Sequence, residues 1–155
     1  MRCCGPTYVV WRYSATDSRS LYCISKYPAL VELCVRASYL LGDYSRAVKI
    51  ANRAIELAPD VDPWLIFQRG LAKLELGLLT DALLDVSDVL AHATEVDDKA
   101  FAYNFIAQIQ RRSKQFAEAE AAINLAIQLQ PKDASNYYEA ALIRRINKAQ
   151  TTLLN

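Results

Sequence analysis

The sequence predicts an all-α fold of about three helix-turn-helix repeats followed by a capping helix. Three observations carry that prediction. The stretches GDYSRAVKIANRAIELAP (42–59), GLLTDALLDVSDVL (77–90) and KQFAEAEAAINLAIQLQP (114–131) align on Ala47, Ala82 and Ala119, which lie 35 and 37 residues apart. That spacing is close to the roughly 34-residue period of a two-helix repeat. In the same register Gly42, Gly77 and Lys114 stand five residues before the alanine, and Ala54, Val89 and Ala126 seven after it. Finally, four glycines and five prolines in 155 residues suit helices joined by short turns.

Taken in order, residues 1–27 match nothing in the repeat. They carry Tyr8, Val9, Val10, Trp11, Tyr13, Leu21 and Tyr22, and an added helix, a plug or a loose extension all remain open for them. The first copy spans 28–61, with a helix over 28–41; Gly42 ends it in the left-handed conformation that costs glycine nothing, and Pro59 stops the second helix. The second copy, 63–96, repeats this with a helix over 63–76 and Gly77, but has no closing proline. Three extra residues, 97–99, precede the third copy, and Asp97-Asp98 read as a turn and helix start. That copy, 100–133, has a helix over 100–113, Lys114 in the glycine position and Pro131 at its end. A capping helix over 134–150 and a tail, 151–155, complete the chain.

Gly42-Asp43-Tyr44, Arg69-Gly70 with Gly77, and the aligned alanines and prolines resemble the tetratricopeptide repeat family over residues 28 to about 150. Lys114 departs from the pattern, as do Val35 and Ser38 and the missing proline of the second copy. The resemblance implies a right-handed superhelix whose first helices line a concave face. It also implies that the two helices of each copy approach at small residues: Ala47, Ala82 and Ala119, with Gly70 as the partner in copy two. A leucine at such a crossing would overpack it, at about 1–3 kcal/mol.

On the implied concave face, Trp64, Phe67, Leu71 and Leu74 fall at i, i+3, i+7 and i+10, one helical stripe, while Ile66 and Gly70 belong to the core face. In copy three Phe101 and Phe105 are four apart, with Tyr103 and Ile106 left for the core. Apolar surface beyond what folding needs marks a binding surface. The expected peptide-binding residues are Arg36, Trp64, Phe67, Leu71, Phe101, Asn104, Phe105, Gln108, Arg111, Arg112, Tyr138 and Arg145. Arginine forks suit carboxylates, although Glu32, Glu75 and Glu139 stand near enough in sequence pattern to neutralise them. The expected ligand is a protein segment, either a peptide or an amphipathic helix, with apolar anchors and flanking acidic residues.

The family's chaperone-binding members grip acidic C-terminal tails with a clamp of lysines, asparagines and an arginine. Glu32, Arg36, Gln68, Phe101 and Phe105 occupy the corresponding positions here, so the clamp is missing. An adaptor or chaperone-like interaction module is the expected function. The rival is a structural assembly subunit that self-associates through its end helices, where Leu142, Ile143 and Ile146 are more apolar than a cap requires, with the groove filled by residues 1–27.

Other classes find little support. A net charge of +1 gives no field for nucleic acid, and Arg111-Arg112 with Lys114 is too short a basic run. No apolar run approaches the roughly 20 residues that span a bilayer, and the four-residue patch at Tyr8–Trp11 is too short for a signal peptide; the expected location is cytoplasmic. Cys3, Cys4, Cys23 and Cys34 have no metal-binding spacing, and His92 does not complete one, so reduced thiols without metal or cofactor are expected, acylation of Cys3-Cys4 being the alternative. Gly70 and Gly77 make no phosphate loop, His92 fits a helix C-terminus, and Asp85 with Asp88 reads as a solvated face. No catalytic constellation emerges, and the chain is read as non-enzymatic.

Overall fold

The computed structural model describes residues 28–57 and 62–153. Residues 1–27, with Cys3, Cys4, Cys23 and the apolar N-terminal stretch, lie outside the described residues, as do Pro59 and Leu154. Seven helices and no strand are present among the described residues: α1 (Pro28–Leu40), α2 (Tyr44–Leu57), α3 (Pro63–Glu75), α4 (Leu79–His92), α5 (Val96–Arg112), α6 (Phe116–Leu129) and α7 (Ala134–Leu153). Successive helices pack antiparallel as three hairpins and a final helix, with α1 also touching α3 and α5 touching α7. The result is the right-handed superhelix of a helical-repeat solenoid.

Small residues set the crossings. Ala47, Ala82 and Ala119 are fully buried, as are Ala51 and Ala126. A Cβ on Gly70 would sit 3.1 Å from Phe105 Cε1, 3.3 Å from Asp85 Cβ and 3.7 Å from the Ala82 carbonyl oxygen. The alanines and Gly70 are therefore small because backbone or core atoms occupy the space a larger side chain would need.

Each intra-repeat turn is the same hydrogen-bonded stop. Gly77 N–H donates to Leu74 O (3.1 Å) and Leu78 N–H to Lys73 O (2.9 Å); Gly42 and Asp43 repeat this onto Tyr39 and Ser38, and Lys114 and Gln115 onto Arg111 and Gln110. This paired pattern needs a left-handed residue at the turn, and Gly42 and Gly77 have φ of 77° while Lys114 is held at 63°. Nothing lies within 4 Å of a Cβ built on Gly42 or Gly77, so conformation, not space, selects glycine there. Lys114→Gly should accordingly stabilise the fold by about 0.5–1 kcal/mol, the relief of left-handed strain less the added entropy of the unfolded chain. Urea unfolding of the variant measures this; an unchanged or lowered midpoint would mean the Lys114 side chain makes up for the strain.

Several boundaries differ from expectation. α5 begins at Val96, so residues 97–99 add a turn to the helix and do not precede it. That turn is tied down where Gln130 Nε2 donates to Asp97 Oδ1 at 2.7 Å. α7 continues to Leu153, past the expected end at 150. At its N-terminus Asp133 Oδ1 accepts the Ser135 N–H at 2.9 Å, and Asp62 caps Trp64 N–H in the same way at 2.8 Å before Pro63 in α3. Polar caps of this kind satisfy amides the helix itself leaves unbonded. His92 is the last residue of α4, its Nδ1 2.8 Å from the Asp88 carbonyl oxygen.

Asp85 corrects the reading of a solvated pair. Asp88 is half exposed, but Asp85 is buried at 4% exposure between α3 and α4. Arg69 donates to both of its oxygens (2.9 and 2.7 Å) and Lys73 donates from Nζ at 2.9 Å. The fork of Arg69 also reaches Asn52 Oδ1 at 3.1 Å and so ties copy two to copy one. Sequence spacing hides this, because the cations lie 16 and 12 residues upstream across a turn.

At the C-terminal end, Ile143 is buried at 1% exposure, and Leu142 and Ile146 are half-buried. Ile143 belongs to the copy-three core cluster with Ala107, Ala119 and Ile123.

Candidate functional site

The aligned copies assign every first-helix position to a row. Ala29, Trp64, Phe101 and Ser135 are equivalent, as are Glu32, Phe67, Asn104 and Tyr138, and then Arg36, Leu71, Gln108 and Leu142. These rows face the concave side. There α3, α5 and the start of α7 enclose a groove of about 260 Å³ lined by Trp64, Phe67, Leu71, Phe101, Asn104, Phe105, Gln108, Asp133, Ser135 and Asn136. Seven of the twelve expected residues thus meet in one place.

Their exposures separate surface from floor. Phe101 is 54% exposed and Trp64 45%, whereas Phe67 is 6% and Phe105 1%. The Trp64 ring stacks on Phe67 at 5.1 Å and 18°, and Phe67 in turn meets Phe105 edge-on at 5.1 Å and Phe101 at 6.4 Å. Phe67 and Phe105, expected as open anchors, belong to the core cluster with Ala82, Val86 and Ile109. Leu74, at the end of the expected stripe, is buried there as well, at 1%. Phe105 differs because it is equivalent to Gln68 and Leu33, the row that faces the preceding copy, so it packs over Gly70 and supports the groove from beneath.

A buried polar chain forms the far wall. Asn104 Nδ2 donates to Asn136 Oδ1 at 2.7 Å and Asn104 Oδ1 accepts from Gln108 Nε2 at 2.8 Å. Asn136 and Asp133 join the expected residues in this groove. The signal available was an asparagine where Leu65 and Ala102 stand in the equivalent row, since a buried amide in an otherwise apolar row is kept only where it is hydrogen-bonded.

Beside this groove, with Trp64 as shared wall, lies a recess of about 220 Å³ lined by Ala29, Glu32, Leu33, Arg36, Trp64 and Gln68. Gln68 is buried at 6% exposure, and its Oε1 has no hydrogen-bond partner. Arg36 is exposed.

Two of the other expected arginines, Arg111 and Arg112, are engaged elsewhere. Arg111 donates through Nε and Nη2 to both oxygens of Glu139, a pair left only 18% and 6% exposed. Arg112 donates to Glu75 Oε1 at 2.7 Å and to the Leu74 carbonyl at 3.1 Å. Both tie consecutive first helices together, because stacking brings together charges 28 and 37 residues apart. Neither lines the groove, and nor do Tyr138 and Arg145, which are exposed. Close by, burial, then Glu75 and Tyr44, raise the Tyr39 phenol above its usual pKa of 10.0, against the lowering effect of Arg112. Among the described residues no three His, Cys, Asp or Glu side chains group as metal ligands, and no helix is long and apolar enough to cross a membrane.

Comparison with known proteins places this architecture. The tetratricopeptide repeat family model matches residues 36–61 and 102–133, within the first and third copies. No curated protein sequence matches the chain. Among solved structures, the Arabidopsis OM64 TPR domain is similar with a TM-score of 0.65 and 20% identity, over 81% of this chain and 98% of that one. MamA (41-end) from Desulfovibrio magneticus RS-1 aligns with a TM-score of 0.68 and 21% identity, over 85% and 76%. The second TPR domain of human RPAP3, in complex with the HSP70 peptide SGPTIEEVD, has a TM-score of 0.63 and 17% identity, over 74% and 92%. At these identities the likeness is one of fold.

Proposed function

From a chain that carries a tetratricopeptide-repeat segment, we propose a non-enzymatic protein-interaction module of the adaptor or chaperone-like kind, which takes a peptide segment of a partner into its concave groove. The observation that carries this reading is the aromatic surface of Trp64 and Phe101, left about half exposed over a floor of Phe67 and Phe105 that the core already holds rigid. Exposed aromatic side chains on a preformed concave wall are energetically strong contact points.

The two adjoining recesses suggest the ligand's form. An apolar residue seats between Trp64 and Phe101, and a neighbouring residue reaches the recess of Gln68 and Arg36. Arg36 suits an acidic side chain. Two RPAP3 domains of this fold hold acidic HSP70 and HSP90 peptides. Here Glu32 and Phe101 stand at clamp positions that resemblance assigns to basic and amide groups, so aromatic anchoring replaces the clamp and such tails are expected to bind weakly.

Selection from a random peptide library tests the proposal. The expected consensus joins an aromatic or branched apolar residue to an acidic one. Trp64→Ala/Phe101→Ala should weaken the selected peptides by about 2–4 kcal/mol, roughly 30- to 1,000-fold, at unchanged helicity. Peptides that bind the double variant as tightly as the wild type would move function away from the groove. Phe67 and Phe105 are unsuited to this test, since their truncation would unfold what it probes.

A further inference from the structure

The first helices show what covers each repeat. Leu65, Ala102 and Asn136 are equivalent and buried, at 3%, 1% and 1% exposure; so are Gln68, Phe105 and Glu139, at 6%, 1% and 5%, and Ala72, Ile109 and Ile143, at 0%, 1% and 1%. In each case the cover is the copy before: Leu65 and Ala72 sit in the cluster of Val31, Ala47 and Ala51, and Ala102 and Ile109 in that of Phe67 and Ala82. On α1 the same rows hold Leu30, Leu33 and Ala37. Leu30 is 41% exposed and Leu33 53%, with Ala37 exposed as well, because no copy precedes them among the described residues.

The composition of this face is unlike that of a solvated end. At 100° per residue, Leu40, Leu33, Ala37, Leu30 and Cys34 follow one another around α1 through a sector of roughly 120° without a polar residue, the width that a core-facing helix presents, and Leu41 follows in the turn. All five, and Leu41, are exposed. The opposite end of the stack contrasts with it. The rows of α7 that lack a following helix hold Tyr137, Ala141 and Arg144, the last paired with Glu120 at 3.1 Å. The α7 face thus mixes an aromatic, a small and a charged residue, where the α1 face is apolar throughout.

We infer that residues 1–27 of this chain pack against that apolar face of α1 and take the place of a preceding repeat. They lead directly into Pro28, as each earlier copy leads into the first helix of the next, and they carry Tyr8, Val9, Val10, Trp11 and Tyr13 within one short run. Reach is ample. α1 is about 20 Å long at 1.5 Å per residue, and the 15 residues from Tyr13 to Pro28 extend up to about 50 Å. Attachment through the same chain gives an effective concentration on the order of millimolar, against which a second copy competes poorly in dilute solution. This seat lies at the end of the stack and leaves the groove between α3 and α5 open, meeting the adjoining recess only at Leu33.

The chain has two tryptophans, Trp11 and Trp64, which provides the test. In full-length Trp64→Phe protein, Trp11 is the only indole. Its emission should be blue-shifted and shielded from acrylamide, equally at low and high protein concentration. Adding Leu30→Glu and Ala37→Glu should return it to the emission of a water-exposed indole at unchanged helicity. An emission already water-like would overturn the inference. So would a blue shift indifferent to the α1 substitutions, which would seat Trp11 elsewhere, the groove included, or one that grows with concentration, which would make a second copy the cover. A second readout needs no change on α1: with Cys3, Cys4 and Cys23 replaced by serine, Cys34 should react with a thiol reagent at least about tenfold more slowly than in denaturant. Reaction as fast as in denaturant overturns the inference whatever the tryptophan reports.

Discussion

Phe105→Ala is expected to cost about 3–5 kcal/mol of folding stability, the range for removing a fully buried aromatic ring. The ring is 1% exposed and stands at the junction of copies two and three. Its edge fills the space that Gly70 leaves open, 3.1 Å from where a Cβ would lie, and it meets Phe67 at 5.1 Å. The Gly70 backbone beneath the ring cannot move into the space it leaves without shifting α3, so part of the cavity persists. Because stability in a solenoid resides in the interfaces between neighbouring copies, the loss should uncouple copy three from copy two and broaden the urea transition. A loss below about 1 kcal/mol would mean the ring is not packed as described.

Asp85→Ala should be the next most damaging substitution, at about 2–4 kcal/mol. Asp85 is 4% exposed, and Arg69 and Lys73, at 18% and 13%, converge on it. Taking away the carboxylate leaves two cations facing each other with little access to water, and uncompensated charge of this kind is what makes one-sided removal of a buried pair expensive. The cations retain enough exposure to turn partly outwards, which places the estimate below that for a fully enclosed pair. Asp85→Asn should recover part of the hydrogen bonding but not the charge, and so fall between wild type and alanine. A double-mutant cycle between Arg69→Met and Asp85→Ala measures the coupling directly; a coupling near zero would show the pair to be solvated.

These two residues mark where reading the sequence stopped short. Phe101 and Phe105 are four apart, and a helical stripe places them together. A first helix in this stack has three faces, though: towards its own partner, towards the preceding copy and towards the groove. Phe101 aligns with Trp64 on the groove face, while Phe105 aligns with Gln68 and Leu33, whose differing chemistry conceals that they share a row. Asp85 looked like one of two carboxylates on a wet helix because its cations lie on another. The sequence names Glu75 and Glu139 as possible neighbours of the arginines, but stacking of the copies is what pairs Arg111 with Glu139 and Arg112 with Glu75.

By itself the sequence determined the helices, the repeat period, the alanine and glycine contact points, and the left-handed stop at Gly42 and Gly77, while the same conformation at Lys114 emerged only in the structure. All of these follow from local conformation or from small residues recurring in register, and both are written along one chain. Only the tertiary structure decided which aromatics face the groove, which arginines are consumed between copies and that the apolar face of α1 has no preceding copy over it among the described residues. Those outcomes depend on the angle at which each copy turns relative to the last, and that angle is set by packing between residues about 35 positions apart.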